Sequence, residues 1–319
     1  MLICASGIFT IIGCEIMLRL FWPQPSGPVQ FAFDRQRGAI PKPNQTGRRV
    51  VPGVFDYTYS NNSLGLRGRE IGPKQRFRIL LLGDSFTYGL GVNDTQTFAS
   101  RLESLTGSET INAGDPGTGT DYALRFYETL GRQLAPDVVI LCFFSNDFQD
   151  NQRHTYYDDD LRPRDLSNNI VARKMFLDSR AYNWLITHSH LANLIKASII
   201  RIQLFEKPID EPQVDVNLTR RYIEMLKQKV REDNKQFLVI YLPSSVDVQN
   251  FRQQRDVPTD MALRSIQEDL SLTPPIANSN LPLDDLYFVS DQHWTATTHE
   301  IAARSIAEFL RDRPGYHQQ

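Results

Sequence analysis

The run Phe77-Arg78-Ile79-Leu80-Leu81-Leu82 leads into Gly83-Asp84-Ser85-Phe86, and further short runs that read as strands recur at 109–113, 137–144 and 236–242, the last two apolar at most positions. Amphipathic stretches follow at about 95–106, 120–134, 217–233 and 296–312. Strands that are apolar along most of their length have to be covered on both faces. Helices at these spacings supply the cover, so the pattern predicts an α/β fold with a parallel sheet between two helical layers. A chain of 319 residues, 41% of them hydrophobic, is long enough to bury such a core.

The ends of the pattern read differently. Residues 2–22 are almost wholly apolar and stop at Pro23, roughly the ~20 residues that cross a bilayer, which predicts a transmembrane anchor over 1–22, with a cleaved signal or a helix docked on the domain as the alternatives. Within it Glu15 and Arg19 stand four apart and share a helix face, with Arg19 and Trp22 near the interfacial end. No Lys or Arg precedes the run, whereas Arg19, Arg35 and Arg37 follow it. Taken alone this charge order keeps the domain cytoplasmic, and a start codon further upstream with a basic leader would reverse it. Ile11-Ile12-Gly13-Cys14 loosely resembles a lipoprotein cleavage box, but the apolar residues beyond Cys14 and the missing basic leader count against that.

Residues 23–60 carry Pro23, Pro25, Pro28, Pro41, Pro43 and Pro52 and predict an extended stalk, with the globular domain over 61–319. Between 137–144 and 217–233 lie about seventy residues, too many for a simple connection. They predict an insertion over about 150–215. Its centre, 170–205, has helical spacing of Leu185, Ile186, Leu191, Leu194, Ile195, Ile199 and Ile200 and reads as a helical cap. Such a cap can be a substrate lid, a membrane-facing surface or a packed excursion.

Lys and Arg number 35 against 37 Asp and Glu, a net charge of −2, so no broad basic face awaits nucleic acid. Cys4, Cys14 and Cys142 offer no pair to staple the domain, which suits a reducing compartment and equally a large periplasmic domain. Asp158-Asp159-Asp160 lacks the ligand spacing of a calcium loop, and neither a Walker loop nor a Gly-x-Gly-x-x-Gly fingerprint follows the first strand. No metal or cofactor is expected.

Chemistry-bearing residues gather at the predicted strand ends, where ligands bind in open α/β sheets. Ser85 follows the first run and can be aided by the positive end of a helix behind it. Asn112-Ala113-Gly114-Asp115-Pro116-Gly117-Thr118-Gly119 follows the second, with glycines that let backbone N–H groups approach a ligand. Ser145-Asn146-Asp147 follows the third, and the Asn146 amide can face a developing oxyanion. Far downstream, 286–289 reads as a short strand and Ser290-Asp291-Gln292-His293 as a loop before the last helix. His293 can take the Ser85 proton while Asp291 fixes its tautomer. His188, His190, His299, His154 and His317 have no comparable partners.

These four blocks, in this order, resemble the SGNH/GDSL hydrolase superfamily over about residues 60–312. The resemblance implies a flavodoxin-like three-layer α/β/α sandwich and serine ester hydrolysis. By motif it implies Ser85 as nucleophile, the N–H groups of Ser85 and Gly117 with the Asn146 side chain as oxyanion hole, and His293 as base. Asn62-Ser63-Leu64-Gly65-Leu66-Arg67, with the Glu15 and Arg19 helix, looks like membrane-anchored bacterial members and implies a periplasmic domain. The chain departs from much of the superfamily in having Asp-x-His rather than Asp-x-x-His, which changes how Asp291 can face the ring. The shorter spacing resembles that of bacterial polysaccharide O-acetylation proteins and implies acetyl-ester chemistry on a glycan, by hydrolysis or by acyl transfer. A lipase using the cap as a lid, and a glycan-binding factor without activity, are the rival readings.

Overall fold

A computed structural model describes residues 2–153, 155–166, 179–205, 215–255 and 266–313. Helix α1 (Leu2–Phe21) is followed by two antiparallel hairpins, β1 (Phe31–Asp34) with β2 (Gly38–Pro41) and β3 (Thr46–Val51) with β4 (Phe55–Ser60). The stretch expected as a stalk is thus folded. Along β4 Phe55, Tyr57 and Tyr59 point inward, alternating with exposed Asp56 and Thr58, and with Val29 and Tyr88 they form a small core of their own. Its prolines sit mostly outside the strands, where their missing N–H breaks no ladder.

The main sheet is parallel, and its strands are β5 (Arg78–Gly83), β6 (Glu109–Gly114), β7 (Val138–Phe144), β8 (Gln236–Leu242) and the two-residue β9 (Leu270–Ser271). Their order, β6-β5-β7-β8-β9, is the flavodoxin-like order, with its switch point between β5 and β7. Alternation along β5 divides the core. Ile79 and Leu81 pack with α3 (Phe98–Thr106) and the last helix, Ala296–Arg311, through Phe98, Leu102, Ala303 and Ile306. Leu80 and Leu82 face α4 (Thr120–Thr129) and the helix Val216–Glu232 through Tyr122, Phe126, Tyr222 and Leu226. The expected strand at 286–289 is instead a helical turn, Leu283–Leu286, followed by a single bridge between Tyr287 and Trp294. Leu286 is buried under the last helix there, which ties the segment to a helical layer rather than to the sheet.

The insertion and the turn leading into it contribute α5 (Asp147–Asn151), α6 (Arg180–His188) and α7 (His190–Phe205); residues 154, 167–178 and 206–214 of the expected insertion lie outside the described residues. The expected transmembrane anchor needs correction, because among the described residues no helix is long and apolar enough to cross a membrane. The α1 helix is instead docked on the insertion. Glu15 accepts hydrogen bonds from Arg19 and from the Ser189 hydroxyl and the N–H groups of His190 and Leu191 at the start of α7. Arg19 donates to the His188 carbonyl at the end of α6.

Candidate active site

Ser85 opens the four-residue helix α2 (Ser85–Tyr88) at the end of β5. Asp84 caps that helix by accepting the Phe86 N–H at 2.8 Å. The turn sits deep because two glycines admit it. A Cβ on Gly83 would stand 2.7 Å from the Cys142 carbonyl, and one on Gly114 would stand 2.2 Å from the Tyr88 nitrogen. Arg67, its side chain 1% exposed, closes the far end of the turn. Its guanidinium donates to the carbonyls of Tyr88, Gly89 and Val92 and pairs with Asp94 at 2.9 Å. Asn62 shapes the segment carrying Arg67 by accepting the N–H groups of Leu64 and Leu66.

The Ser85 hydroxyl donates to His293 Nε2 at 2.8 Å, and His293 Nδ1 donates to Asp291 Oδ1 in a short contact. Two-residue spacing suffices because Gln292 lies in the left-handed region, at φ +67°. It turns the chain so that both neighbours face the same side. The turn is closed by the Phe288 carbonyl, which accepts the N–H groups of Asp291 and Gln292, and by the Phe288 N–H, which donates to the His293 carbonyl. Tyr287 and Trp294 anchor its base to the Pro243 carbonyl beyond β8. Phe86 lies against the imidazole, ring centroids 4.8 Å apart.

The second hairpin reaches this loop as well. Phe55 meets Phe288 edge to face at 5.3 Å, and Arg49 on β3 adds its charge to the surroundings of Asp291. Burial pushes the Asp291 carboxyl up, but the His293 bond and the His293 and Arg49 charges outweigh it and hold the group below its ordinary value. It therefore stays an acceptor for the imidazole.

Gly117 is exposed at φ +84°, with open space where a Cβ would be, and Asn146 begins α5 with its Oδ1 buried and unpartnered. Both lie on turns leaving the carboxyl ends of β6 and β7, the strands either side of β5. Beneath these turns is a feature the sequence reading missed, a group of buried carboxyls comprising Asp84, Asp115, Asp121, Asp147 and Asp150. Burial raises them, Asp84 to about 6, Asp121 to about 7 and Asp115 to about 8, with Asp147 well above its ordinary value. Burial thus disfavours negative charge on the carboxyls beneath these turns. Only Asp-rich turns after strands hinted at them, and burial is a tertiary property. Arg67 was visible as part of a motif, but its clamp on the nucleophile turn was not.

The remaining histidines serve structure where they are described. His299 is buried, and its Nδ1 accepts the Phe98 N–H at the start of α3. His190 Nδ1 accepts the Gln24 N–H at 2.7 Å. His154 and His317 lie outside the described residues. Among the described residues no three His, Cys, Asp or Glu side chains are placed to hold a metal ion. A polar cleft of about 560 Å³ on the β6 margin, lined by Arg67, Arg69 and Glu103 among others, contains none of the four motif residues.

A serine and histidine in contact at the switch point of a three-layer α/β/α sheet define a hydrolase class. Residues 81–300 match the model of the GDSL-like lipase/acylhydrolase family, and the chain belongs to that family of ester hydrolases. No curated protein matches the sequence. Solved structures it is similar to include a putative lipolytic protein of the G-D-S-L family from Desulfitobacterium hafniense DCB-2, at 11% identity and a TM-score of 0.41 over 73% of this chain and 98% of that one. The acetyl xylan esterase AlAXEase follows at 14% and 0.44, over 73% and 98%. A two-domain esterase active on acetylated mannans matches at 16% and 0.42, over 74% of this chain and 49% of that one.

Proposed function

We propose that the chain hydrolyses acetyl esters on a carbohydrate through an acyl-enzyme on Ser85. The observation that carries this reading is the continuous chain from the Ser85 hydroxyl to His293 at 2.8 Å and on to Asp291. Ser85 Oγ attacks the ester carbonyl while its proton passes to His293 Nε2. The tetrahedral oxyanion is held by the N–H groups of Ser85 and Gly117 and by the Asn146 amide. Collapse breaks the ester C–O bond, and the departing sugar oxygen takes the proton from His293 and leaves as a hydroxyl. Water then loses a proton to His293 as it attacks the acyl carbonyl, and acetate leaves as Ser85 recovers its hydrogen. Acetyl as the acyl group and a glycan as the alcohol are supported by the Asp291-Gln292-His293 spacing, which resembles that of polysaccharide O-acetylation proteins.

The test is turnover of p-nitrophenyl acetate, p-nitrophenyl octanoate and an acetylated polysaccharide by the full chain and by Ser85→Ala. The expected result is acetate release that falls by about 10⁴ or more in the variant, with acetyl preferred to octanoyl. Equal activity in the variant sinks the mechanism, and a preference for octanoyl sinks the acetyl assignment.

A further inference from the structure

We propose that α1 and the α6–α7 pair of the insertion form one face that docks into a lipid bilayer carrying anionic headgroups. On α1, Ile8, Phe9, Ile11, Met17 and Phe21 are 57–75% exposed. At about 100° per residue these five positions fall on all sides of the helix. Only Glu15 and Leu18 among its described side chains are less exposed, and Glu15 is bonded to the insertion. A helix apolar all round is stable only where apolar matter surrounds it. A second protein surface covers one side of such a helix, whereas lipid encloses it.

The insertion continues the same face. Trp184, Leu185, Ile195 and Ile199 are exposed on α6 and α7, and Glu15 and Arg19 bind these helices to α1 across more than 160 residues of sequence. That arrangement spends the one acidic side chain of the face on the otherwise unpaired N–H groups at the start of α7, where a carboxylate is favoured. It removes the group that lipid would exclude most strongly. Over the described side chains 6–22 and 180–199 the remaining charges are all basic, Arg19, Arg180 and Lys196, which complements anionic headgroups. Trp22 and Trp184, both exposed, are the residue type that settles at the headgroup level. Among the described residues no helix is long and apolar enough to cross a membrane, and the proposal is accordingly one of docking without a span.

The experiment is flotation of the full chain with vesicles of phosphatidylcholine and phosphatidylglycerol, 4:1 and phosphatidylcholine alone, with p-nitrophenyl acetate turnover and circular dichroism reporting on folding. The wild-type chain is expected to float, more completely with the anionic lipid. An Ile195→Glu/Ile199→Glu variant, altered only in the insertion, is expected to lose vesicle binding by about tenfold or more while its circular dichroism is unchanged. Failure of the wild type to float overturns the proposal. So does full binding by the Ile195→Glu/Ile199→Glu chain, which would leave α1 as the sole contact, and so does a lipid-free dimer whose formation, abolished by the same substitutions, excludes vesicles.

Discussion

Ser85 starts a helix of four residues whose backbone is pressed against β6, with Asp84, Phe86, Thr87 and Tyr88 all buried. His293 ends a loop in which Val289 is 64% exposed and Ser290 and Gln292 face solvent. The first is held by close backbone approach, by a buried guanidinium and by the absence of two Cβ atoms. The second is held by one left-handed residue, two hydrogen bonds to the Pro243 carbonyl and an aromatic contact from an outlying hairpin. The difference teaches where each half can fail. On the proposed mechanism, damage to the Ser85 turn should propagate into the sheet and cost stability, whereas damage to the His293 loop should stay local and cost turnover.

The sharpest break on the sheet side is Arg67→Met. It takes the buried donor from three backbone carbonyls and the cation from the partly exposed Asp94, which keeps its bonds from Ser60, and a loss of about 2–4 kcal/mol is expected, read from urea unfolding. A loss below ~1 kcal/mol would mean the clamp is dispensable and the contrast overstated. Asn146→Ala tests the oxyanion donor on the same side. Turnover of p-nitrophenyl acetate should fall by about 10²–10³ with little change in the thermal midpoint, and unchanged turnover would remove Asn146 from the hole.

On the loop side, Gln292→Ile puts a β-branched residue into the left-handed region. About a tenfold drop in kcat/KM is expected, since strain of order 1–3 kcal/mol must be absorbed by the loop, while Gln292→Gly should retain activity. If both variants match the wild type, the tight turn does not set the histidine. The last test concerns the buried carboxyls and is read as a pH profile. In the folded chain Asp84, Asp121 and Asp115 hold protons up to about 6, 7 and 8, so over the range above the ordinary value of 3.8 the folded state binds more protons than the unfolded one. Their contribution to stability therefore falls as pH rises from about 4 toward 8. Melting at pH 5.5 and 8.5 should show the lower midpoint at 8.5, with Asp115→Asn reducing the difference; a flat profile would mean the carboxyls are not protonated.

Much of the nucleophile side was legible because its determinants are local. An apolar strand followed by Ser85, a glycine-rich turn and Asn146 can be read from the order of residues alone, since parallel strands bring their carboxyl ends together. The base loop was half legible. Asp291 and His293 could be paired, but their facing depends on the backbone of Gln292, a residue type that gives no sign of a positive φ. The hairpins at 31–60 were hidden by their prolines, although the alternation in Phe55-Asp56-Tyr57-Thr58-Tyr59 has the period of a half-buried strand. Docking of the α1 helix was legible only as an alternative to the anchor, because the partner of Glu15 lies 174 to 176 residues away.

One small pairing near the clamp has a separate consequence. β6 is an outermost strand of the sheet, and an open outermost strand invites a second molecule to add to it. Asn112, in the middle of β6, is instead bridged antiparallel by Arg67 of the same chain, and at the opposite margin β9 is only two residues long. The segment that fastens the nucleophile turn therefore also blunts the sheet against growth, so that loosening it would expose the enzyme to self-association as well as to unfolding.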